Sequence, residues 1–143
     1  MTDLHGVMKA PCKSCPYRKD VPSGVWAEEE YDKLPTYDGE IIEQLVKGGT
    51  GLFLCHQQDN NLCAGWLACH GTDDLLALRL HGRLVKDEVW EYETSVPVWS
   101  SGQEACDHGK AEIDDPSEKA SRVIDRLVDK LPVKGYTERR GRQ

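Results

Sequence analysis

PCKSCPYRKD at residues 11–20 and LFLCHQQDNNLCAGWL at residues 52–67 hold four of the six cysteines of this chain. Their spacing decides how the rest is read. Two cysteines separated by two residues, Cys12 and Cys15, can place both thiolates on one ion without straining the turn between them. Cys55 and Cys63 supply a second pair from a distant part of the chain, enough to complete a tetrahedron. The pattern predicts a metal centre with Cys12, Cys15, Cys55 and Cys63 as ligands. Zinc suits that donor set, and a [4Fe-4S] cluster, which also takes four cysteinyl sulfurs, is the alternative, with Pro16 after Cys15 as its best sequence cue.

A chain of 143 residues, 38% hydrophobic and with a single Phe, has a modest apolar core in which four Trp must carry much of the burial. Such a core gains from a staple. Structural zinc binding is worth roughly 10–16 kcal/mol in small peptides, against a net folding stability of about 5–15 kcal/mol. The opening residues, MTDLHGVMKAP, have no charged segment followed by a long apolar one, so a cytoplasmic location without membrane insertion is expected. In a reducing compartment six cysteines favour thiolate ligands over three disulfides.

The net charge of −7 is unevenly placed: residues 133–143 carry a local +3 and leave −10 on residues 1–132. An acidic body repels phosphate, which disfavours nucleic acid as a partner of the folded part. The domain division expected is a metal-stapled globular unit over residues 1–132 and a basic, disordered tail over 133–143.

Local signals predict short helices. One spans about residues 25–34 and ends before Pro35, with Trp26 and Tyr31 or Leu34 facing inward. Asp38 is placed to cap a second through Val46, with an apolar stripe of Ile41, Ile42, Leu45 and Val46 and a stop at Gly48 and Gly49. CAGWLACHG reads as a helical turn, and Thr72 as the cap of a helix running to about Leu80. The Val-, Trp- and Tyr-rich stretch at 85–99 reads as a short strand or extended connection. Ser100 or Ser101 caps a helix ending at Gly109, and Asp115, Pro116 and Glu118 start the last one. The fold class is α+β, a small, mainly helical single domain organised around the four-cysteine centre.

Three further residues stand close enough to serve as second-sphere groups or alternate ligands. His56 follows a proposed ligand, His70 lies about two helical turns after Cys63, and Cys69 precedes it. Cys106 and His108 belong to a helix end. Lys13, Arg18 and Lys19 flank the first pair and can donate hydrogen bonds to its thiolates. A thiol-exchange role for Cys12 and Cys15 would need a core strand before the motif, and only eleven residues precede it.

The set PCKSCPYRKDVPSGVW, FLCHQ, CAGWLACHG and SSGQEACDHGKAEIDDP resembles a family of small uncharacterised proteins of actinobacteria and especially their phages. The resemblance spans most of residues 10–118 and transfers to Cys12, Cys15, Cys55, His56, Cys63 and His70. Cys69 and Cys106 lie at positions that its pattern does not require. It implies an intracellular phage accessory protein and supplies no activity.

The functional expectation is a zinc-binding protein-interaction module acting on an unidentified host or phage protein. An iron-sulfur redox or regulatory protein is the alternative. No nucleophile–base constellation is evident, so the sequence leans away from an enzyme, and a catalytic zinc assisted by His56 and Asp59 would need an open position that four sulfurs do not leave.

Overall fold

Glycines and prolines recur so often that, among the described residues, no helix before residue 100 exceeds seven residues, and the chain turns repeatedly around one aromatic core. The computed structural model describes residues 4–55 and 60–130, with side chains given through residue 126. Six helices are present among them: α1 (Glu28–Asp32), α2 (Ile41–Lys47), α3 (Ala64–His70), α4 (Leu76–His81), α5 (Gly102–Lys110) and α6 (Glu118–Lys130). Two-residue strands β1 (Gly6–Val7) and β2 (Asn61–Leu62) pair in parallel, Gly6 opposite Asn61 and Val7 opposite Leu62. The result is the mixed, mostly helical single domain expected. None of the described helices is long and apolar enough to cross a membrane.

The core is built from Tyr17, Trp26, Tyr31, Leu34, Leu62, Trp66, Leu67, Leu75, Leu78 and Ile124, all with essentially no exposure. Trp26, Tyr31 and Leu34 face inward as their spacing indicates. Helix α5 lies close against the first third of the chain because two glycines on one of its faces permit it. A Cβ at Gly102 would stand 2.0 Å from the Leu34 carbonyl oxygen, and one at Gly109 2.1 Å from the Tyr31 ring. Helix α6 buries Ala120 and Ile124 on the core.

Three capping assignments change. The caps of α2 are Glu40 and Glu43, each accepting a backbone N–H of the other. Asp38 instead reaches the N-terminus of α5, accepting from the amides of Gly102 at 2.7 Å and Gln103 at 2.8 Å. A carboxylate gains most where several unpaired N–H groups and the positive helix end coincide, and α5 offers both. The start of α4 is capped across space, with the Leu76 amide donating to Gln44 Oε1 at 3.0 Å while Thr72 donates to the Trp90 carbonyl. Ser117 rather than Asp115 accepts from the first turn of α6, at 3.1 Å from the Ala120 amide. Ser101 caps α5 as expected.

The 85–99 segment is not a strand. It forms a 3-10 turn over Asp87–Glu91, with single bridges from Val85 to His5 and from Val98 to Arg18. Asp87 and Glu88 in the first turn favour a helical start, and only Val89 of that turn is buried, so no pleated apolar face exists to hold a ladder.

Gln44 is fully buried, and its amide nitrogen also donates to Asp74 O at 2.6 Å and Gly39 O at 3.0 Å. Replacing it with Leu leaves an amide and two carbonyls without partners. Gln44→Leu is expected to cost about 2–3 kcal/mol in urea unfolding despite its greater hydrophobicity. An unchanged midpoint would show that water replaces these bonds.

Candidate metal centre

Cys12 and Cys15 sit on a tight turn in which the Cys15 amide donates to the Cys12 carbonyl at 2.9 Å and the Arg18 amide to the Cys15 carbonyl at 3.1 Å. The turn is pinned from inside by the Trp26 indole N–H, which donates to Ser14 O at 2.7 Å. Cys55 and Cys63 lie on the two arms of an antiparallel hairpin closed by Cys55 N to Asn61 O and Cys63 N to Phe53 O, both 2.8 Å. Helix α3 begins at once after Cys63.

The two pairs meet. Cys15 Sγ lies 3.6 Å from Cys63 Sγ, with both residues buried. Cys12, whose Sγ lies 3.8 Å from Ser14 Oγ, is near enough to Cys15 and Cys55 for both to shift its thiol. All four sequence-predicted residues therefore lie in one neighbourhood, with Cys15 and Cys63 in direct contact. Among the described residues no set of three or more His, Cys, Asp or Glu side chains is already arranged to hold a metal ion. What stands is one close thiol pair, Cys15 and Cys63, with Cys12 beside it, and the six cysteines form no disulfide.

Gly65 presses on the turn of Cys12 and Cys15. A Cβ there would fall 2.4 Å from Cys15 Sγ and 2.8 Å from Tyr17 Cβ, so the first turn of α3 rests directly on the cysteine turn. Burial pushes the Cys15 thiol well above its ordinary range. The Cys12 thiol is also raised, first by the neighbouring Cys15, while Cys55 acts in the opposite sense. Protonated, buried thiols of this kind are the reverse of the low-pKa thiolates used in disulfide exchange.

Two of the three flanking cations, Arg18 and Lys19, are held by groups other than the thiols. The Arg18 guanidinium is held by Asp20 through two contacts of 2.8 Å and donates to Pro11 O at 2.9 Å, and Lys19 Nζ lies 5.4 Å over the Trp99 ring. His70 is taken up elsewhere. Its Nε2 accepts from the Tyr17 hydroxyl at 3.0 Å and its Nδ1 faces Asp38 Oδ1 at 3.5 Å. Cys69 lines a separate cleft with Tyr37, Asp38 and His70, and burial pushes its thiol up to about 12. Cys106 is buried against α1, 3.9 Å from Asp32. His56, Asp59 and the 133–143 tail lie outside the described residues.

The Asp38–His70–Tyr17 chain has no motif in the sequence to announce it. It ties the N-terminus of α5 to the residue two places beyond Cys15, and nothing in the sequence signals it in advance, since Asp38 reads as a cap for α2.

A model of a family of unknown function (DUF6283) matches residues 7–127, and the chain belongs to that family. The match includes all six cysteines. No curated protein and no solved structure matches the chain.

Two outcomes test this geometry. Gly65→Ala forces a side chain into the space of Cys15 Sγ and is expected to destabilise by about 1–3 kcal/mol, whereas Gly51→Ala, with nothing within 4 Å, is expected to be near neutral. Burial, opposed by Asp38, lowers the His70 pKa from 6.5 to about 4. Between those values the unfolded chain binds the extra proton, so stability rises with pH across the window and is lost as pH falls through it. The stability gap between wild type and His70→Gln is expected to narrow from pH 7 to pH 4.5; a gap independent of pH would show that His70 titrates alike in both states.

Proposed function

We propose that this DUF6283 member is a metal-stapled protein-interaction module, with Cys12, Cys15, Cys55 and Cys63 holding one zinc ion between two distant segments. The observation that carries this reading is the 3.6 Å approach of Cys15 Sγ to Cys63 Sγ. Four sulfurs at about 2.3 Å from a tetrahedral ion stand about 3.8 Å from one another. Two thiols brought together from different segments at nearly that distance are spaced for a shared ion. Cys12 and Cys55, close enough to each other for Cys55 to shift the Cys12 thiol, supply the remaining donors, and an ion would draw the four sulfurs together while displacing the thiol protons.

The four-iron cluster fits this spacing less well. There each thiolate binds a different iron, which spreads the sulfurs further apart than two ligands of one ion. A set of four sulfurs fills a tetrahedral ion, and among the described residues His70 is engaged by Tyr17 and Asp38. That leaves a structural role for the ion and a binding role for the surface. A cytoplasmic, phage-encoded accessory role acting on a host or phage protein completes the proposal, resting on the motif resemblance and the acidic charge.

Elemental analysis of protein purified without oxygen tests it. One equivalent of zinc in a colourless sample is the expected result, and iron with acid-labile sulfide in a brown one would transfer the reading to the cluster. Cys63→Ser is expected to lose the metal and cooperative unfolding together, while Cys106→Ser retains both. Complete chelation without a shift of the melting transition would remove the structural role.

A further inference from the structure

Helix α2 is inside out. Gln44 is fully buried, while Ile42, Leu45 and Val46 expose 61%, 54% and 81% of their surface. At about 100° per residue, Ile42 and Val46 project away from Gln44, and Leu45 flanks them. Three large aliphatic side chains facing solvent on a seven-residue helix contribute little to folding, and such a contiguous patch marks a contact surface.

Beside the patch lies a cleft of about 650 Å³ whose lining includes Asp38, Glu40, Glu43 and Asp74. Glu40, Glu43 and Asp74 are exposed, and none forms an ion pair with a described residue. Lys47, the cation on this helix, turns its ammonium back onto the carbonyls of Asp38 at 2.8 Å and Pro35 at 3.0 Å. Carboxylates remain in excess.

We propose that the outward face of α2 and the acidic cleft beside it form the docking surface for a cationic amphipathic segment of another protein. Apolar side chains of that segment cover Ile42, Leu45 and Val46, and its lysines or arginines enter the cleft. Charge complementarity selects the sign of the partner, and the aliphatic ridge demands a partner with an apolar face, which nucleic acid lacks. This inference rests on the reading of the protein as an interaction module and names the class of its partner.

The test uses three fluorescent 18-residue peptides titrated into the full chain. One has leucines at helical i, i+3, i+4, i+7 spacing flanked by lysine and arginine; the second replaces those cations by glutamate; the third keeps the cationic composition but scrambles the stripe. Only the first is expected to bind, more weakly at high salt, and Ile42→Ser with Val46→Ser is expected to weaken it about tenfold or more. Binding of all three alike, an unchanged affinity in the double variant, or no binding overturns the proposal. Binding seen only after deletion of residues 131–143 would assign the face to the chain's own basic end. A dimer dissolved by the double substitution would assign it to a second copy; either result overturns an external partner. Zinc content and melting of each sample separate this from the scaffold reading: a zinc-loaded, folded chain that ignores the peptides sinks the docking surface alone. Peptide binding by a chain that holds no zinc sinks the staple alone.

Discussion

The contact of Gly65 with Cys15 and Tyr17 is the constraint on which the arrangement depends. It allows the first turn of α3 to lie directly on the cysteine turn, which puts Cys63, the residue before α3, against Cys15. The hairpin that carries Cys63 also carries Cys55, and its second arm supplies β2, which pairs with β1 at the start of the chain. One missing side chain therefore fixes the N-terminal segment, the hairpin and α3 relative to one another. A methyl group at this point has no space to enter except by moving a buried sulfur.

Around this contact the packing is aromatic. Tyr37 stands edge-on to Trp66 at 5.2 Å and to Phe53 at 5.9 Å, and Tyr17 stands edge-on to Phe53 at 6.1 Å. Edge-to-face pairs of this kind add about 0.5–1.5 kcal/mol each beyond the area they bury, which offsets the scarcity of aliphatic volume in the chain. His70 belongs to this cluster through Tyr17, its ring 5.4 Å away. Burial favours its neutral form: a charged imidazolium would be desolvated by the aromatic wall, with one carboxylate as compensation.

Much of this was legible in the sequence because it depends on local chemistry. The Cys12–Cys15 spacing, the Ser101 cap and the Gly48 stop of α2 are decided within a few residues, and the approach of the two cysteine pairs follows from them with one further assumption. What could not be read is what distant segments do for one another. Asp38 looks like a cap for the helix that follows it, yet serves one that begins sixty-four residues later. The segment around Val89 has strand-forming residues, but among the described residues no strand pairs with it to reward them. Arg18 and Lys19 look like donors to the thiols until Asp20 and Trp99 are seen to hold them.

Helix α2 shows most clearly where local pattern and tertiary demand part. Its apolar stripe is real, and a reader of sequence would turn it inward. Gln44 prevents that. Its side chain caps α4 through Leu76 and receives nothing from solvent, so rotating the helix to bury Ile42 and Val46 would expose Gln44 and strip Leu76 N, Asp74 O and Gly39 O of their partners. Three partnerless backbone groups would cost several kcal/mol, which is comparable with the gain from burying two aliphatic side chains at about 1.5–3 kcal/mol each. The glutamine also fixes direction, because hydrogen bonds are directional and aliphatic contacts are not. A fold stabilised only by burial would choose the other face, so the exposed one is held outward by a buried amide.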